Sequence, residues 1–201
     1  MREVLRHLSS GDPVLARLID RIGPYAMEYL EPDFETLVRS IAFQQLSGKV
    51  ARVIFHRLLA AAGNGRLTPA SVLQLRPRKM RAVGLSQQKV AYIRDLARRA
   101  RSGELDFEAL PALADEAVCQ ALTSVKGIGV WTAQMFLIFA LRRPDVLPTA
   151  DLGIRSAIRN LYGLAELPTP SQVEELARPW RPYATVASWY LWRSLEGPAG
   201  L

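Results

Sequence analysis

Apolar residues recur along almost the whole chain at the three- and four-residue spacing of an amphipathic helix. Two such faces are formed by Val90, Ile93, Leu96 and Ala97, and by Leu37, Ile41, Leu46 and Val50. The alternation of apolar and polar residues that marks a half-buried strand is nearly absent. The pattern therefore predicts an all-α protein of about ten short helices.

Glycines, prolines and capping residues divide this pattern into segments. Gly84, Gly103, Gly163 and Pro144 fall where helices should stop. Residues 171–174, Ser-Gln-Val-Glu, have the form of a capping box that opens a helix. The connection at residues 59–69 is flexible in composition, but it has the features of an interhelical loop. We therefore predict one compact unit over residues 1–201.

Composition and charge agree with a globular chain that has a polyanionic partner. The 201 residues are 49% hydrophobic and 22% charged, which is ordinary for a folded domain and unlike a disordered one. The formal net charge is +7 and the pI is about 10. Such a balance favours nucleic acid as a partner. Many basic proteins bind none, so charge alone does not decide.

The single cysteine and the apolar segments exclude two further classes of protein. Cys119 cannot pair within the chain, which favours a reducing compartment, and it excludes an iron–sulfur cluster held by four thiolates. No secretory signal is visible at the N-terminus. The most apolar segment, residues 133–141, is far shorter than the roughly 20 residues that cross a bilayer. We expect a cytoplasmic chain without membrane contact.

Residues 122–133, Leu-Thr-Ser-Val-Lys-Gly-Ile-Gly-Val-Trp-Thr-Ala, interrupt two helical segments with a short turn. Gly127 and Gly129 permit positive φ angles, and Ile128 can pack between the helices. The missing Cβ atoms let a phosphate approach backbone N–H groups, next to the charge of Lys126. A plain corner between helices is the alternative. The order of these residues, with Thr132 following, resembles a helix-hairpin-helix that binds the DNA backbone.

Asp151 follows the hairpin by one helix and a proline-containing loop, 22 positions beyond Gly129. Thr149 is the candidate N-cap, which would place Asp151 in the first helical turn, where the helix dipole favours a negative charge. A carboxylate there can stabilise an oxocarbenium ion and orient or deprotonate an attacking water. Helix capping is the alternative role. The order of hairpin, helix, proline-containing loop and aspartate resembles the arrangement in the glycosylase branch of the helix-hairpin-helix superfamily, which implies the catalytic role.

Three further segments complete a resemblance to a known family. Residues 37–47 end in Gln-Gln-Leu-Ser, residues 83–97 begin Val-Gly-Leu-Ser, and residues 179–189 run from Pro-Trp-Arg-Pro-Tyr to a tryptophan. With the hairpin and Asp151, they resemble the 3-methyladenine DNA glycosylase II family, the alkylation-repair branch of the helix-hairpin-helix superfamily. The resemblance implies a two-lobed fold with the active site in the cleft between the lobes. The expected lobes are residues 35–150, and residues 1–34 plus 151–201.

The resemblance also implies roles for individual residues. Asp151 would be the catalytic carboxylate, and Gln45, or else Gln44, would wedge into the duplex when the damaged base flips out. The base pocket would be lined by Trp131, Trp189 and Met135, and the aromatic faces of the two tryptophans suit cationic alkylated purines. Trp180 and Trp192 are expected in the core. Phosphates would be bound by Lys126, Gly127, Ile128, Gly129 and Thr132.

The implied activity is hydrolysis of the N-glycosidic bond of alkylated purines in damaged double-stranded DNA, without a cofactor. Trp131 stands where bifunctional relatives carry a lysine nucleophile, so no lyase activity is expected. Backbone carbonyls of Thr123, Val125 and Ile128 could hold a structural Na⁺ or K⁺. We expect a monomer, located with the nucleoid in a bacterium. The alternatives are a non-catalytic hairpin protein that recognises bent or damaged DNA, and an oxidised-base or mismatch glycosylase.

Overall fold

The computed structural model describes residues 1–63 and 65–196, and over these residues its regular secondary structure is entirely helical. The α-helices are, in chain order, α1 Arg2–Gly11, α2 Pro13–Ile22, α3 Phe34–Phe43, α4 Gly48–Ala62, α5 Pro69–Gln74, α6 Pro77–Ala82, α7 Gln87–Ser102, α8 Asp115–Thr123, α9 Val130–Phe139, α10 Leu152–Tyr162, α11 Pro170–Leu176 and α12 Ala184–Arg193. Short 3₁₀ turns cover Leu110–Ala112 and Arg178–Trp180. The prediction of an all-α fold is confirmed.

The chain divides into two compact units. One is contiguous, Leu30–Leu141, and holds α3 to α9. The other combines both ends of the chain, Met1–Tyr29 and Arg142–Leu201, and holds α1, α2 and α10 to α12. Residue 64 of the first unit and residues 197–201 of the second lie outside the described part of the chain. The lobes expected from the sequence changed at 34/35 and 150/151, whereas the units change at 29/30 and 141/142.

The core of the Leu30–Leu141 unit confirms one of the two predicted helix faces and corrects the other. All four apolar residues of the α7 face, Val90, Ile93, Leu96 and Ala97, are buried. On the other face Leu37 and Ile41 are buried, but Leu46 and Val50 are 39% and 47% exposed. The reason is that α3 ends at Phe43 and α4 begins at Gly48, so the four residues never share one helix.

The unit made from both chain ends is held by a buried carboxylate. Asp12 caps α2 by accepting from the N–H groups of Val14 and Leu15 at 2.9 and 3.1 Å. Its second oxygen accepts from Trp180 Nε1 at 2.8 Å and from the Tyr162 hydroxyl. Four hydrogen bonds offset the cost of burying this charge. Trp180 is fully buried, which confirms its predicted place in the core.

Two predicted helix starts are wrong by a few residues. The N-cap of α10 is Asp151 itself rather than Thr149. The capping box of α11 is formed by Thr169 and Gln172 rather than by residues 171 and 174. In α11 the helix begins with Pro170, whose fixed φ and missing N–H suit the first helical position.

None of the helices in the described ranges is long and apolar enough to cross a bilayer.

Candidate functional site

The turn between α8 and α9 uses its two glycines differently. Gly127 has φ +84°, a left-handed conformation that favours glycine. Gly129 has φ −95° and is the N-cap of α9, so the positive φ expected there is wrong; a Cβ added to it would meet no atom within 4 Å. Ile128 is buried as predicted, and Lys126 is exposed. The first N–H groups of α9 therefore lie at a corner that no neighbouring atom crowds, beside the positive charge of Lys126.

Helix α7 supports this hairpin with two side chains. A Cβ on Gly127 would lie 2.1 Å from a ring carbon of Tyr92, so the ring packs directly against the turn. Asp95 is buried, and its Oδ2 accepts from the N–H of Lys126 at 3.1 Å. Both of its oxygens also pair with arginines, Arg98 and Arg99, each at 3.3 Å. Helix α7 thus holds the turn at two backbone positions, the N–H of Lys126 and the Cα of Gly127.

The Asp95 carboxylate predicts a pH dependence of stability. Burial raises its pKa, but the hydrogen bonds from Lys126, Arg98 and Arg99 outweigh this, so the pKa is lowered on folding. Its contribution is therefore present above the unfolded-state pKa of about 3.9 and is lost as the pH falls through the lower folded value.

We expect the thermal midpoint of wild type to fall more steeply below about pH 4 than that of Asp95→Asn. Asp106→Asn, which alters an exposed carboxylate of the same unit, is the matched control. Parallel acid profiles for wild type and Asp95→Asn would contradict the expectation.

The loop between α3 and α4 separates the two candidate wedge residues. Gln44 donates its side-chain N–H to the carbonyl of Gly127 at 2.9 Å, which ties the loop to the hairpin. Lys89 Nζ donates to the carbonyls of Ala42 and Gln44 at 2.9 and 2.6 Å, and burial lowers the pKa of this lysine. Gln45 is exposed and has φ +55°, an uncommon conformation for a residue with a Cβ. The two glutamines therefore differ: Gln44 holds the loop, and Gln45 lies at its open tip.

A cavity of about 520 Å³ lies beside this loop, within the Leu30–Leu141 unit. Residues 44–47, between α3 and α4, form what we call the glutamine loop. The cavity is lined by residues of α3, of the glutamine loop and of α9: Arg39, Ser40, Phe43, Gln44, Gln45, Trp131, Thr132 and Met135. Trp131 is 50% exposed, which is unusual for a residue of its size and gives the cavity an accessible aromatic wall. The structure thus brings together Trp131, Met135 and both candidate wedge residues.

Trp189 is placed differently. It belongs to the unit made from both chain ends, is only 9% exposed, and has Tyr25 and Tyr190 edge-on at 4.9 and 4.8 Å between ring centroids. The Arg193 guanidinium lies 5.9 Å from its ring centroid. Its pocket role stays a prediction, and it is not among the residues that line the cavity with Trp131.

Asp151 is held by two hydrogen bonds to one oxygen. Its Oδ1 accepts from the N–H of Ile154 at 2.8 Å and from Trp192 Nε1 at 3.0 Å. A Cβ on Gly153 would lie 3.0 Å from that oxygen and 3.1 Å from Trp192 Cδ1, so only glycine leaves this contact undisturbed. Trp192 is half-buried, and its expected place in the core is wrong, because its indole N–H is directed to Asp151.

Sequence reasoning missed Trp192, Asp95, Tyr92 and Lys89 as parts of these sites. The only visible signal for Trp192 was its position on α12 three residues after Trp189. Asp95 lies among arginines and has the pattern of a surface ion-pair cluster. Its bond to a backbone N–H 31 positions away follows from packing, which the local sequence does not show.

A metal held by side chains has no support in the described ranges, where no group of three His, Cys, Asp or Glu residues could bind one. A monovalent ion would therefore rest on backbone oxygens. The Val125 carbonyl accepts from the N–H of Ile128 at 3.1 Å, and a carbonyl keeps a second lone pair. The ion expected at the carbonyls of Thr123, Val125 and Ile128 stays a prediction.

Positive charge is concentrated between α3 and the middle of α7, a segment that includes the glutamine loop. Residues 36–94 contain eleven lysines and arginines and no aspartate or glutamate, whereas the rest of the chain has 15 against 19. On α4 three cations are exposed: Lys49, Arg52 and Arg57. Four cations are exposed on α6 and at its N-cap: Arg76, Arg78, Lys79 and Arg81. This surface is suited to a polyanion.

Known proteins are similar to this chain in both sequence and fold. DNA-3-methyladenine glycosylase 1 of Schizosaccharomyces pombe is 38% identical over 194 residues, covering 94% of this chain and 85% of that protein. Putative DNA-3-methyladenine glycosylase YfjP of Bacillus subtilis is 32% identical, covering 98% and 70%. The solved structure of S. pombe 3-methyladenine DNA glycosylase Mag1 in complex with abasic DNA matches with a TM-score of 0.85 at 37% identity, over 96% of each chain.

Residues 38–182 match the family described as HhH-GPD superfamily base excision DNA repair protein. This range contains the glutamine loop, the whole hairpin and Asp151. The helix-hairpin-helix interpretation of residues 122–133 is thereby confirmed at the level of the family. The chain belongs to the HhH-GPD superfamily of base excision DNA repair proteins.

Proposed function

We propose that this chain is a monofunctional DNA glycosylase that hydrolyses the N-glycosidic bond of alkylated purines in duplex DNA, acting as a monomer. The observation that carries the proposal is Asp151, a helix-capping carboxylate held by Trp192 and placed one helix beyond a DNA-binding hairpin. Family membership and relatives named 3-methyladenine glycosylases support this substrate class. The expected place of action is the DNA of the cell, the nucleoid in a bacterium.

Binding of the duplex would use the hairpin and the basic segment together. The first N–H groups of α9, the open corner at Gly129 and the ammonium of Lys126 suit one backbone phosphate. Thr132 is 7% exposed, so its contribution to phosphate binding would come through its backbone N–H rather than its hydroxyl. The exposed cations of α4 would add sequence-independent attraction.

Gln45 is the wedge that the geometry favours. Gln44 is committed to the Gly127 carbonyl, so inserting it would break a hydrogen bond that holds the loop. Gln45 is exposed at the tip, with its backbone already in the left-handed region. A side chain presented in this way could fill the gap left by a flipped nucleotide.

The flipped base would enter the cavity beside Trp131, whose exposed face can stack on an electron-poor alkylated ring. Cleavage moves the electron pair of the C1′–N bond to the base and leaves positive charge on the sugar. The Asp151 carboxylate would stabilise that charge and orient the water that attacks C1′, whose proton passes to the carboxylate or to solvent. Trp131, two positions after Gly129, offers no amine for a Schiff base, so the abasic strand should stay intact.

Incubation with methylated duplex DNA tests this activity. We expect release of 3-methyladenine and 7-methylguanine, measured by chromatography, together with abasic sites that break only after alkali treatment. Strand breakage without alkali would contradict the monofunctional assignment. Tight binding of damaged DNA with no base released would instead support a non-catalytic hairpin protein.

Trp192 should act as a positioning residue for Asp151. In Trp192→Phe the ring remains but the N–H to Oδ1 is lost, and a hydrogen bond to a charged group contributes about 1.5–3 kcal/mol. We expect kcat for base release to fall about tenfold with KM little changed, as measured by single-turnover and steady-state kinetics.

Gly153→Ala should produce the same pattern, because its Cβ presses on both partners. Trp180→Phe is the matched control: it removes an indole N–H from a different carboxylate, Asp12, and should lower the thermal midpoint without this kinetic pattern. An unchanged kcat in Trp192→Phe would show that the indole has no role in placing Asp151.

A further inference from the structure

The cavity that would receive the base contains a cation. Arg39 lines it together with Trp131 and Met135, and its guanidinium carbon lies 4.7 Å from the ring centroid of Phe43. No carboxylate lies within ion-pair distance of Arg39 in the described ranges, and none occurs in the sequence from residue 36 to residue 94. Glu35, one turn earlier on the same helix, instead accepts from the N–H of Leu67 at 2.7 Å. Arg39 therefore brings to the cavity lining a positive charge that no ion pair balances in the described ranges.

This placement conflicts with simple binding of the proposed substrates. Purines alkylated at N3 or N7 carry a positive charge on the base while they are attached to the sugar. A guanidinium in the same cavity repels that charge, and the repulsion is significant for unit charges several ångströms apart in a partly buried site. A pocket selected only for affinity toward cationic bases would not keep an arginine here.

The same repulsion favours cleavage of the C1′–N bond. The electron pair of the C1′–N bond passes to the base, which leaves as a neutral molecule, while the sugar becomes the oxocarbenium ion that water then attacks with loss of a proton. With the base in the cavity beside Arg39 and the sugar still part of the strand outside it, the positive charge would move away from Arg39. A fixed cation raises the energy of the bound substrate more than that of the transition state, and such a difference accelerates the chemical step.

We propose that Arg39 is a catalytic residue that acts by electrostatic repulsion, weakening the binding of cationic alkylpurines while accelerating their departure. This inference rests on the proposed glycosylase function. For an uncharged lesion such as hypoxanthine, Arg39 has no cation to repel in the bound state. It instead stabilises the negative charge that develops on the leaving base. The sign of its effect on binding therefore depends on the charge of the lesion.

The test uses duplex oligonucleotides with a single 7-methylguanine or a single hypoxanthine, and single-turnover rates over a range of protein concentrations. In Arg39→Gln we expect the maximal rate on 7-methylguanine to fall about tenfold and the half-saturating concentration to fall with it. On hypoxanthine the rate should fall without tighter binding. The ratio of the two half-saturating concentrations, 7-methylguanine over hypoxanthine, should therefore fall about tenfold.

Three further variants complete the comparison. Arg39→Lys keeps the charge and should keep the wild-type ratio. Arg57→Gln removes an exposed cation of α4, which should change DNA affinity equally for both lesions and leave the ratio unchanged. Arg39→Met keeps the aliphatic stem over Phe43, carries the same expectation as Arg39→Gln, and replaces that variant if it does not fold.

An unchanged ratio in both neutral variants would overturn the role of Arg39 while leaving the glycosylase function intact. A wild-type protein that releases neither base would overturn the proposed function, and with it the role of Arg39. Equal loss of rate and affinity on both lesions would assign Arg39 to general DNA binding instead.

Discussion

The Asp151→Asn variant should bind duplex DNA with nearly wild-type affinity and release methylated bases about 10²–10⁴ times more slowly. Asparagine is almost identical in size and is itself a favourable N-cap, so the hydrogen bonds from Ile154 and Trp192 can persist. What disappears is the negative charge that would face the developing oxocarbenium ion. The rate should be measured in single turnover with excess protein, and the affinity by fluorescence anisotropy.

Asp33→Asn is the matched control, because Asp33 also caps a helix, accepting from the N–H of Thr36 at 2.9 Å. Its base-release rate should stay within about twofold of wild type, as expected for substitutions away from special features. Asp151→Ala should lose the same activity and, in addition, about 1 kcal/mol of stability from the lost cap. Undiminished base release by Asp151→Asn would remove this residue from the mechanism.

The second large effect is expected at Gly127. An alanine there would have to adopt φ +84° and would bring its Cβ within 2.1 Å of the Tyr92 ring. Backbone strain and overpacking together should destabilise the protein by ~2–4 kcal/mol, which lowers the thermal midpoint by roughly 4–15 °C in a chain of this size. DNA affinity should fall as well, because the turn that presents the α9 N–H groups is displaced.

Alanine variants at two other glycines distinguish the effect of backbone strain from the effect of the clash with Tyr92. Gly129→Ala has a negative φ and an unobstructed Cβ, so its thermal midpoint should stay near wild type. Gly103→Ala has φ +81° with no atom within 4 Å of its Cβ, and therefore reports backbone strain alone. Tyr92→Ala combined with Gly127→Ala should cost less than the sum of the single variants, because the clash is relieved. Equal midpoints for Gly127→Ala and Gly103→Ala would show that the Tyr92 contact contributes nothing.

Helical periodicity predicted the fold class because it is a local property that tertiary packing rarely overrides across a long face such as that of α7. It failed at the junction of α3 and α4. There the loop of residues 44–47 happens to preserve the apolar spacing while the chain changes direction, and Leu46 becomes exposed. Spacing alone cannot detect such a break without a strong stop signal.

The residues of the candidate site also fall into a group that the local sequence predicts and a group that it does not. The hairpin and Asp151 were predictable because their residues follow one another within about thirty positions and their order carries the geometry. The partners that hold them were not. Trp192 meets Asp151 across 41 positions, and Asp95 meets Lys126 across 31, so both pairs exist only once helices pack. Arg39 was overlooked because a single arginine on an amphipathic helix has no local signature.

The bonds of Asp12 have a consequence for how the chain is made. Trp180 and Tyr162 lie 168 and 150 positions downstream of Asp12, and the contiguous Leu30–Leu141 unit is synthesised between them. At about 5–20 residues per second, a ribosome needs roughly 10–30 s to deliver these partners. Until then α1 and α2 emerge with apolar residues such as Leu8 and Leu15 that only later elements can cover. The unit that carries Asp151 is therefore the last part of the protein that can fold during synthesis.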